Sequence, residues 1–547
     1  MTYPRPLFLF ALVLALALRA PSLNVRPMHG DEAVHAIKFG ALLEAGSYKY
    51  DPFEYHGPTL NYFSLIPAWL GANGNLAEVN DATLRAVPVF FGIALILVLM
   101  LLVEGLSWPV VAVAALLTAI SPAMTFYSRY YIQEMLLVCF TFGLIACGYR
   151  YSQQPRWRWA LLTGLFLGLM HATKETFVIA LGAMFVALLL TLIIPPSRGV
   201  RGVSWRRDNL AILEAHPPAP LKEGILGSAI RIQHVLAALA AAAIVSTLFF
   251  SSFFTNPAGI FDSLLTYKTY LNRAGEHGWH FHPWFTYFKW LLVTNYAGRP
   301  LWSEAFIFIL AVIGIIFALR QNKASGVNPP LLRFLAFYTI VLTLIYALIP
   351  YKTPWNLLGF FHGMILLAAF GAVRLAQTPS KEWLRNGVLV LLFLAGAQLA
   401  WQSYQNNFRY HSDASNPYVY AHPTTDVFAM IERVREMASA HPDSQKIYVQ
   451  VICPEDDYWP LPWYLRDFPN IGWWNHVDEQ APAAPMILAS PKAESALVRK
   501  LYELPPPGER ELYVPLFDDY IELRHGVEMR GYVTKELWDR WQESQAE

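Results

Sequence analysis

Two carboxylates stand side by side near the start of the chain. Asp31 and Glu32 lie in the sequence His-Gly-Asp-Glu-Ala-Val-His, shortly after the first apolar stretch. Adjacent carboxylates are suited to general acid–base catalysis or to holding a metal ion. A structural interpretation fits as well, because Asp31 can cap a helix that runs through Ile37 while Glu32 interacts with the positive end of the helix dipole. The two interpretations are compatible.

An arginine and a glutamate bracket the sequence Tyr-Tyr-Ile-Gln at the start of another apolar stretch. Placing Arg129 or Glu134 at a membrane boundary without water costs about 2–3 kcal/mol each. We therefore expect both side chains to face one another, a cavity or water. The alternative is that the Arg129 guanidinium extends to the membrane surface while its aliphatic stem stays in lipid.

Two lysines lie in short connections between apolar stretches. Lys174 and Glu175 follow His-Ala-Thr, where neighbouring charges can also serve simply to hold a hairpin. Lys352 precedes Thr-Pro-Trp-Asn, and a lysine there is a plausible partner for a phosphate, with Trp355 and Asn356 beside it. The structural alternative for this connection is a proline turn with a tryptophan anchor at the membrane surface.

Histidines occur in the two longest connections on the same predicted side. His56 opens a His-Gly-Pro element, and His277, His280 and His282 cluster in a later connection. The cluster suggests a metal site, but its spacing is not diagnostic of one. Histidines that are solvated or that contact an acceptor are therefore the favoured interpretation.

Apolar stretches separate these polar segments and must position them. A transmembrane helix needs about 20 residues, and aromatic flanks such as Trp157 and Trp401 can extend shorter stretches at the interface. We interpret the first stretch as an uncleaved anchor, because the charged residues just beyond it look functional. The eleven predicted spans are 7–20, 87–103, 108–124, 132–148, 160–170, 176–194, 235–250, 305–319, 332–349, 357–373 and 388–400.

The composition is that of a membrane protein. Of the 547 residues, 55% are hydrophobic and 15% are charged, against about 25% charged in an ordinary soluble domain. The net charge of +1 provides no basic field for nucleic acid. Lys and Arg favour alternate connections, so we place the N-terminus in the cytoplasm, the protein in the cytoplasmic (plasma) membrane and everything after Tyr404 outside.

The chain divides into two predicted domains. Residues 1–404 form a polytopic α-helical membrane domain with large outer loops at 21–84 and 251–304 and a cytoplasmic loop at 195–232. Residues 405–547 form an extracytoplasmic α/β domain, because helical and strand-like patterns alternate there. The predicted elements of this domain are helices at 426–440, 495–502 and 535–542 and strand-like runs at 446–453, 486–489 and 520–523.

All of these polar segments lie on one predicted face of the membrane. Because all of these segments converge on one face, a common functional site explains them better than separate structural roles do. A cavity open to the outside and lined by carboxylates, an arginine and a lysine could hold an anionic headgroup whose hydrophobic tail stays in the bilayer.

At these residues the chain resembles the membrane glycosyltransferases of the C superfamily, which includes protein O-mannosyltransferases, aminoarabinose transferases and oligosaccharyltransferases. Within the superfamily it is most similar to a prokaryotic branch associated with flippase activity, a similarity that extends to nearly the whole chain. The matching elements are Asp31-Glu32, His56-Gly57-Pro58, Arg129 with Glu134, Lys174, and the segments 351–356, 422–426 and 458–466.

The resemblance implies transfer of a sugar from a polyprenyl-phosphate carrier to an acceptor on the outer face, with inversion at the anomeric carbon. Such a displacement needs a base beside the acceptor hydroxyl, whereas the phosphate leaves already anionic and needs only cationic partners. The implied catalytic residues are Asp31, as the base, and Glu32. The implied phosphate partners are Arg129, Lys352 and Lys174, and the implied sugar, acceptor or supporting residues are His56, Glu134, Glu175, His280, Trp355 and Asn356.

Several implications stay open at this level. A divalent metal ion is optional, and the acceptor is a glycan, a lipid or a protein. The alternative function is a non-catalytic accessory to the translocation of lipid-linked sugars on the same scaffold, for which Asp31 would be dispensable. A secondary transporter ranks last, because the sequence shows neither inverted repeats nor ionisable groups near the middle of the spans.

Overall fold

Helices dominate the part of the chain that corresponds to the eleven apolar stretches. The computed structural model describes residues 4–53, 56–194, 231–273, 280–320 and 326–546, so most of the predicted cytoplasmic loop at 195–232 lies outside the described residues. Each predicted span coincides with helical structure. The first ten helices are α1 Pro4–Arg19, α2 Gly30–Ala45, α3 Thr59–Leu70, α4 Asp81–Val98, α5 Val103–Leu106, α6 Trp108–Ile120, α7 Pro122–Tyr127, α8 Glu134–Gln153, α9 Trp157–His171 and α10 Phe177–Ile193.

Seven further helices complete this part of the chain. They are α11 Ile232–Phe250, α12 Gly259–Arg273, α13 Thr286–Leu292, α14 Ala305–Arg320, α15 Pro329–Leu348, α16 Leu358–Gln377 and α17 Glu382–Phe408. Among the described residues, six helical segments are long and apolar enough to cross a membrane: Asp81–Leu106, Glu134–Gln153, Ile232–Phe250, Pro329–Leu348, Pro354–Gln377 and Glu382–Phe408. The prediction of a polytopic helical membrane protein is confirmed, while the number of spans and their orientation stay predictions.

Helix ends follow from local chemistry. The Asn328 side chain accepts a hydrogen bond from the Leu331 backbone N–H at 3.0 Å and starts α15, where prolines occupy the first turn. Ser121 accepts from the Met124 N–H at 3.3 Å and starts α7 in the same way. Gly46 ends α2 with φ +68°, a left-handed conformation that glycine adopts without strain.

Small residues allow the membrane helices to pack closely. A Cβ on Gly314 of α14 would collide with the Leu367 carbonyl of α16, and a Cβ on Gly371 of α16 would collide with the Leu310 carbonyl of α14. The two glycines are therefore reciprocal contact points between the same helices. Such contacts are typical of membrane helices, which associate through packing rather than through exclusion of water.

The chain divides into two compact units. The first consists of Met1–Pro21, Ser47–Phe63 and Arg85–Arg409, and the second of Ser22–Gly46, Ser64–Leu84 and Tyr410–Glu547. The sequence pattern predicts a membrane domain that includes the whole of residues 21–84. In the structure α2, which carries Asp31 and Glu32, groups with the C-terminal region.

The second unit contains a five-stranded sheet, in the order β2 (Ile471–Trp474), β1 (Val449–Ile452), β3 (Met486–Ala489), β7 (Arg530–Thr534) and β4 (Tyr513–Pro515). Strands β1, β2 and β3 are parallel, and β7 is antiparallel to both β3 and β4. The expected small α/β domain is thus confirmed. Its elements are helices α18 Asp426–Ala440, α19 Leu461–Tyr464, α20 Glu494–Val498 and α21 Lys535–Ala546, and strands β1 Val449–Ile452, β2 Ile471–Trp474, β3 Met486–Ala489, β4 Tyr513–Pro515, β5 Glu522–Arg524, β6 Val527–Glu528 and β7 Arg530–Thr534.

The segment around α19 holds the early stretches of the second unit in place. The Tyr464 hydroxyl accepts a hydrogen bond from the Met28 N–H at 2.7 Å, and the Trp463 indole donates to Asp81 at 2.8 Å. Arg466 donates to the carbonyls of Leu76 at 3.0 Å and Val79 at 2.6 Å. The Tyr464 contact fixes the residues just before α2, and the Trp463 and Arg466 contacts fix residues 76–81, although the sequence places all of them far from the C-terminal region.

Candidate functional site

The start of α2 is organised by a histidine. The His29 side chain accepts a hydrogen bond from the Asp31 N–H at 3.0 Å, and the Glu32 carboxylate accepts one from the His29 N–H at 3.0 Å, which completes a capping box. The structural interpretation in which Asp31 caps the helix is therefore wrong, because His29 takes that position. The expectation that Glu32 stabilises the first turn agrees with this geometry.

The two neighbouring carboxylates differ in their surroundings. The Glu32 side chain is fully buried and pairs with Arg26 through oxygens at 3.3 and 3.4 Å. The Asp31 side chain is 51% exposed. Glu32 is thus engaged in holding the turn, whereas the Asp31 carboxylate is accessible to a ligand.

His29 is neutral in this environment. Its Nδ1 accepts from the Asp31 N–H, so the proton is on Nε2, which lies 3.1 Å from the Tyr420 carbonyl oxygen and donates to it. Burial lowers the pKa of His29, against the opposing charges of Asp31 and Glu32. The neutral tautomer is the one that the cap requires.

The aromatic segment between β1 and β2 is largely part of the packing around α2. Trp463 is completely buried and Tyr464 nearly so. Arg524 forms an ion pair with Asp457 and donates to the Trp459 carbonyl at 3.1 Å, which anchors the segment. Trp463 and Tyr464 are therefore part of the core of the second unit.

In the first unit, a buried ion pair joins Lys174 and Glu134. Lys174 lies in the connection between α9 and α10, and Glu134 is the first residue of α8; both are about 5% exposed. They line a cavity of about 30 Å³, together with Trp355 and Asn356. The polar segments that contain Glu134, Lys174 and Trp355-Asn356 therefore meet around this cavity, which can hold water.

A second cluster surrounds Glu175. Its carboxylate lies 2.8 Å from His56 Nδ1 and accepts a hydrogen bond from the Tyr50 hydroxyl at 3.1 Å. Burial favours the neutral acid, but the charge and hydrogen bond of His56, a backbone hydrogen bond and the charge of Lys174 together outweigh it, so the pKa of Glu175 lies below its ordinary value. Tyr50 is a member that sequence analysis did not select.

The His-Gly-Pro element packs directly on the Lys174 connection. The Thr59 N–H donates to the Ala172 carbonyl at 3.1 Å, and the hydroxyls of Thr59 and Thr173 are 2.8 Å apart. A Cβ on Gly57 would collide with the Ala172 carbonyl oxygen. Glycine is therefore required for this close approach, which sets His56 beside Glu175.

The two other predicted phosphate partners contact main-chain carbonyls. Arg129 donates to the carbonyls of Arg19 at 2.9 Å and Pro21 at 2.6 Å. The Lys352 ammonium is buried and donates to the Ile349 carbonyl; burial lowers its pKa. Each of these two cations donates hydrogen bonds to carbonyl groups at the C-terminal end of a helix. Of the three predicted phosphate partners, Lys174 is the one that lines the cavity.

The histidine-bearing connection pairs with the Lys352 turn. The Lys352 N–H donates to the His280 carbonyl at 2.8 Å, and the His282 N–H donates to the Pro350 carbonyl at 3.0 Å. His277 of the candidate metal cluster lies outside the described residues. Within residues that are described, there is no group of three His, Cys, Asp or Glu side chains that could hold a metal ion.

Sequence analysis also overlooked a buried glutamate. Glu304 is 1% exposed, and its carboxylate accepts hydrogen bonds from the Ser121 hydroxyl at 2.6 Å and the Ala123 N–H at 2.7 Å. It thereby supports the start of α7, the helix that leads to Arg129. A lone carboxylate immediately before an apolar stretch is the signal that could have identified it.

A comparison with protein families matches part of the chain. Residues 64–199 match the family model described as dolichyl-phosphate-mannose-protein mannosyltransferase. The matched region contains Arg129, Glu134, Lys174 and Glu175 but neither Asp31 nor Lys352. No curated protein sequence matches the chain.

Solved structures that are similar in fold include ArnT and AglB. ArnT from Cupriavidus metallidurans, bound to undecaprenyl phosphate, is 12% identical with a TM-score of 0.55, over 96% of this chain and 97% of that one. AglB from Archaeoglobus fulgidus, in complex with an inhibitory peptide and a dolichol-phosphate, is 14% identical with a TM-score of 0.52, over 91% and 70%.

A further structure shows the oligosaccharyltransferase of Archaeoglobus fulgidus tethered to an acceptor peptide. It is 13% identical with a TM-score of 0.52, over 86% of this chain and 64% of that one. The chain thus spans less than two thirds of the length of that enzyme. The similarity to the flippase-associated branch stays a prediction. The resemblance to the C superfamily of membrane glycosyltransferases is confirmed, in sequence over residues 64–199 and in fold over nearly the whole chain.

Proposed function

We propose that the protein transfers a sugar from a polyprenyl-phosphate carrier to an acceptor hydroxyl on the outer face of the membrane, with inversion. The acceptor oxygen attacks the anomeric carbon, the bond from that carbon to the phosphate oxygen breaks, and the hydroxyl proton passes to a base. The carrier leaves as an anionic phosphate that needs cations but no acid.

The proposal assigns the base to Asp31. The observation that carries it is the contrast within the carboxylate pair, because Glu32 is buried against Arg26 while the Asp31 carboxylate is half exposed. A base must be able to reach a substrate hydroxyl, and Asp31 meets this requirement. Glu32 then acts through the turn, as a positioning residue.

Lys174 is the leading candidate for the carrier phosphate. It is buried beside Glu134 in a cavity, so an entering anion would meet its charge in a weakly solvated environment. Arg129 and Lys352 are further partners in the proposal. Glu175 with His56, and Trp355 with Asn356, support the sugar or its acceptor. The solved structures with bound undecaprenyl phosphate and dolichol-phosphate support a lipid-phosphate donor for this fold.

The experiment is a comparison of Asp31→Asn with the unaltered protein. Membranes receive a labelled polyprenyl-phosphate sugar and an acceptor extract, and both transfer and donor retention are measured. Loss of a general base lowers the rate by about 10²–10⁴-fold. We expect that loss with normal donor retention, and partial recovery in Asp31→Glu.

Asp443→Asn is the matched control, because its side chain is 70% exposed and belongs to the same unit. The Asp443→Asn variant should transfer the sugar at the same rate as the unaltered protein. Undiminished turnover by Asp31→Asn would remove Asp31 as the base. Normal donor retention without transfer in either protein would favour the non-catalytic accessory function.

A further inference from the structure

Strand β2 is an open edge of the five-stranded sheet. Among the described residues it pairs only with β1. The Val449 N–H donates to the Asn470 carbonyl and the Cys453 N–H to the Trp474 carbonyl, so the even-numbered residues of β2 face β1. In a parallel ladder the alternate residues then direct their main-chain groups outward. The N–H and C=O groups of Ile471 and Trp473 therefore point away from the sheet.

A cleft of about 580 Å³ runs beside this edge. Ile471, Trp473 and Phe468 line it, together with Ile37 of α2 and Leu76. All of these residues belong to the second unit. The cleft has the size of an ordinary ligand site, and these apolar residues form part of its lining.

Polar side chains at the cleft are already engaged within the protein. Glu44 accepts a hydrogen bond from the Leu76 N–H at 2.9 Å, and Asn75 donates to Glu78 at 2.9 Å. Arg466 donates to the carbonyls of Leu76, Val79 and Trp463. A glycan, which is recognised through its hydroxyls, finds few polar side chains here. An extended peptide finds main-chain groups and apolar pockets.

We propose that an extended segment of another polypeptide binds in this cleft as an added strand, paired with the outer edge of β2. Its main chain would exchange hydrogen bonds with Ile471 and Trp473, and alternate side chains would enter the apolar cleft. The strand Ile471–Trp474 contains neither a charged residue nor a proline, two of the features by which proteins block strand addition at a sheet edge. This inference does not rest on the proposed transfer reaction.

The test uses the full-length protein in detergent and three fluorescent probes. The first probe is an octapeptide pool with Val, Ile, Leu or Phe at alternate positions and Thr or Lys between them. The second is the same pool with N-methylated amides at alternate positions, which cannot pair as a strand. The third is a linear oligosaccharide. We expect saturable binding of the first pool and at least tenfold weaker binding of the N-methylated pool.

The protein-side variant is Trp473→Pro, which removes an outward N–H without removing a bond to β1. It should weaken binding of the first pool at least tenfold, and Trp473→Ala, which keeps the N–H, should weaken it less. Tyr520→Ala is the control, since Tyr520 is an exposed aromatic residue of the same unit outside the cleft.

Equal binding of both peptide pools, preferential binding of the oligosaccharide, or no binding of the first pool would overturn the proposal. Self-association that Trp473→Pro abolishes, without peptide binding, would assign the edge to a second copy of the chain and would also overturn it. If the proline variant unfolds, the comparison of the two pools on the unaltered protein decides.

Discussion

Individual side chains at the start of α2 serve two different needs. His29, Glu32 and Arg26 are buried and hold the turn, while Asp31 projects from it. A catalytic carboxylate must keep one position without being neutralised by a close partner. The capping box meets that need by restraining the backbone of Asp31 rather than its side chain.

The stability of this turn should depend on pH through His29. Burial lowers its pKa in the folded protein, so below about pH 6.5 the unfolded chain binds a proton that the folded chain does not. Stability from this group is therefore present above that pH and is lost as the pH falls. The melting temperature should drop between pH 7.5 and 5.5, and less so in His29→Asn, because asparagine also caps a helix.

Intrinsic tryptophan fluorescence during heating provides the measurement. Other histidines contribute to the unaltered protein's pH dependence, so the informative quantity is the difference between the two proteins. Identical drops in both would contradict the assignment of a neutral His29. His476→Asn is the control, because His476 is exposed and its drop should equal that of the unaltered protein.

Part of the candidate site could be predicted from residue types alone. The rest could not, and the reason is physical. Glu134 stood out because a carboxylate at a membrane boundary needs a partner, a cavity or water, and it is indeed paired, with Lys174, and lines a cavity. That its partner is Lys174 was not predicted. The division of roles between Asp31 and Glu32 could not be predicted. It depends on the pairing of buried Glu32 with Arg26 and on the folding of the preceding turn, which Tyr464 contacts at Met28 from hundreds of positions away.

At the scale of elements, the Lys174–Glu134 pair ties the α9–α10 connection to α8. Lys174→Met should destabilise the protein by about 3–5 kcal/mol, because it leaves Glu134 charged, buried and without its partner. The double variant Lys174→Met with Glu134→Leu should recover most of that loss in thermal unfolding.

Measuring donor retention distinguishes a structural role of the Lys174–Glu134 pair from a role of Lys174 in phosphate binding. The double variant should be folded and still fail to retain the polyprenyl-phosphate donor, if Lys174 binds the phosphate. If the folded double variant retains the donor normally, Lys174 does not bind the phosphate, and Arg129 or Lys352 becomes the candidate for that role. A double variant as unstable as Lys174→Met would mean that the pair is not the source of the destabilisation.

The connection is also fixed by its contact with Gly57. In Gly57→Ala the new methyl group would meet the Ala172 backbone, and overpacking of this kind costs about 1–3 kcal/mol. Gly148→Ala in α8 is the matched control, because no atom of the described residues would lie within 4 Å of the added Cβ. There the helix should gain up to about 1 kcal/mol. Thermal unfolding of both variants is the measurement, and equal stability would contradict the close approach.

Whether a segment is a helix or a strand was easier to predict than which other elements it packs against or pairs with. Apolar runs and caps are local, so every predicted span coincides with a helix and α18 begins at Asp426 as expected. Strand β2 was missed, because Ile-Gly-Trp-Trp is too short to show an alternating pattern and its pairing with β1 is not encoded nearby. β4 and β7 were missed for the same reason.

At the scale of the whole molecule, we predict that the region after Tyr404 lies outside the cytoplasm. All three native cysteines are buried, and burial raises the pKa of Cys453 to about 12, so Cys453 cannot report topology as a reactive thiol. A membrane-impermeant maleimide should instead label Asp443→Cys in intact cells. Gln154→Cys, an exposed position between α8 and α9, should be labelled only after lysis. The reverse pattern would invert the topology and move the proposed reaction to the other face.

The second compact unit is assembled from three separate stretches, and this sets an order of events during synthesis. The hydrogen bond from Trp463 to Asp81 joins residues 382 positions apart. At about 5–20 residues per second, roughly 20–80 s separate the synthesis of the two partners. Throughout that interval α2 lacks the residues that bury its first turn. The proposed base therefore reaches its native setting only among the last steps of biogenesis, and an incomplete chain carries Asp31 without the surroundings that would make it reactive.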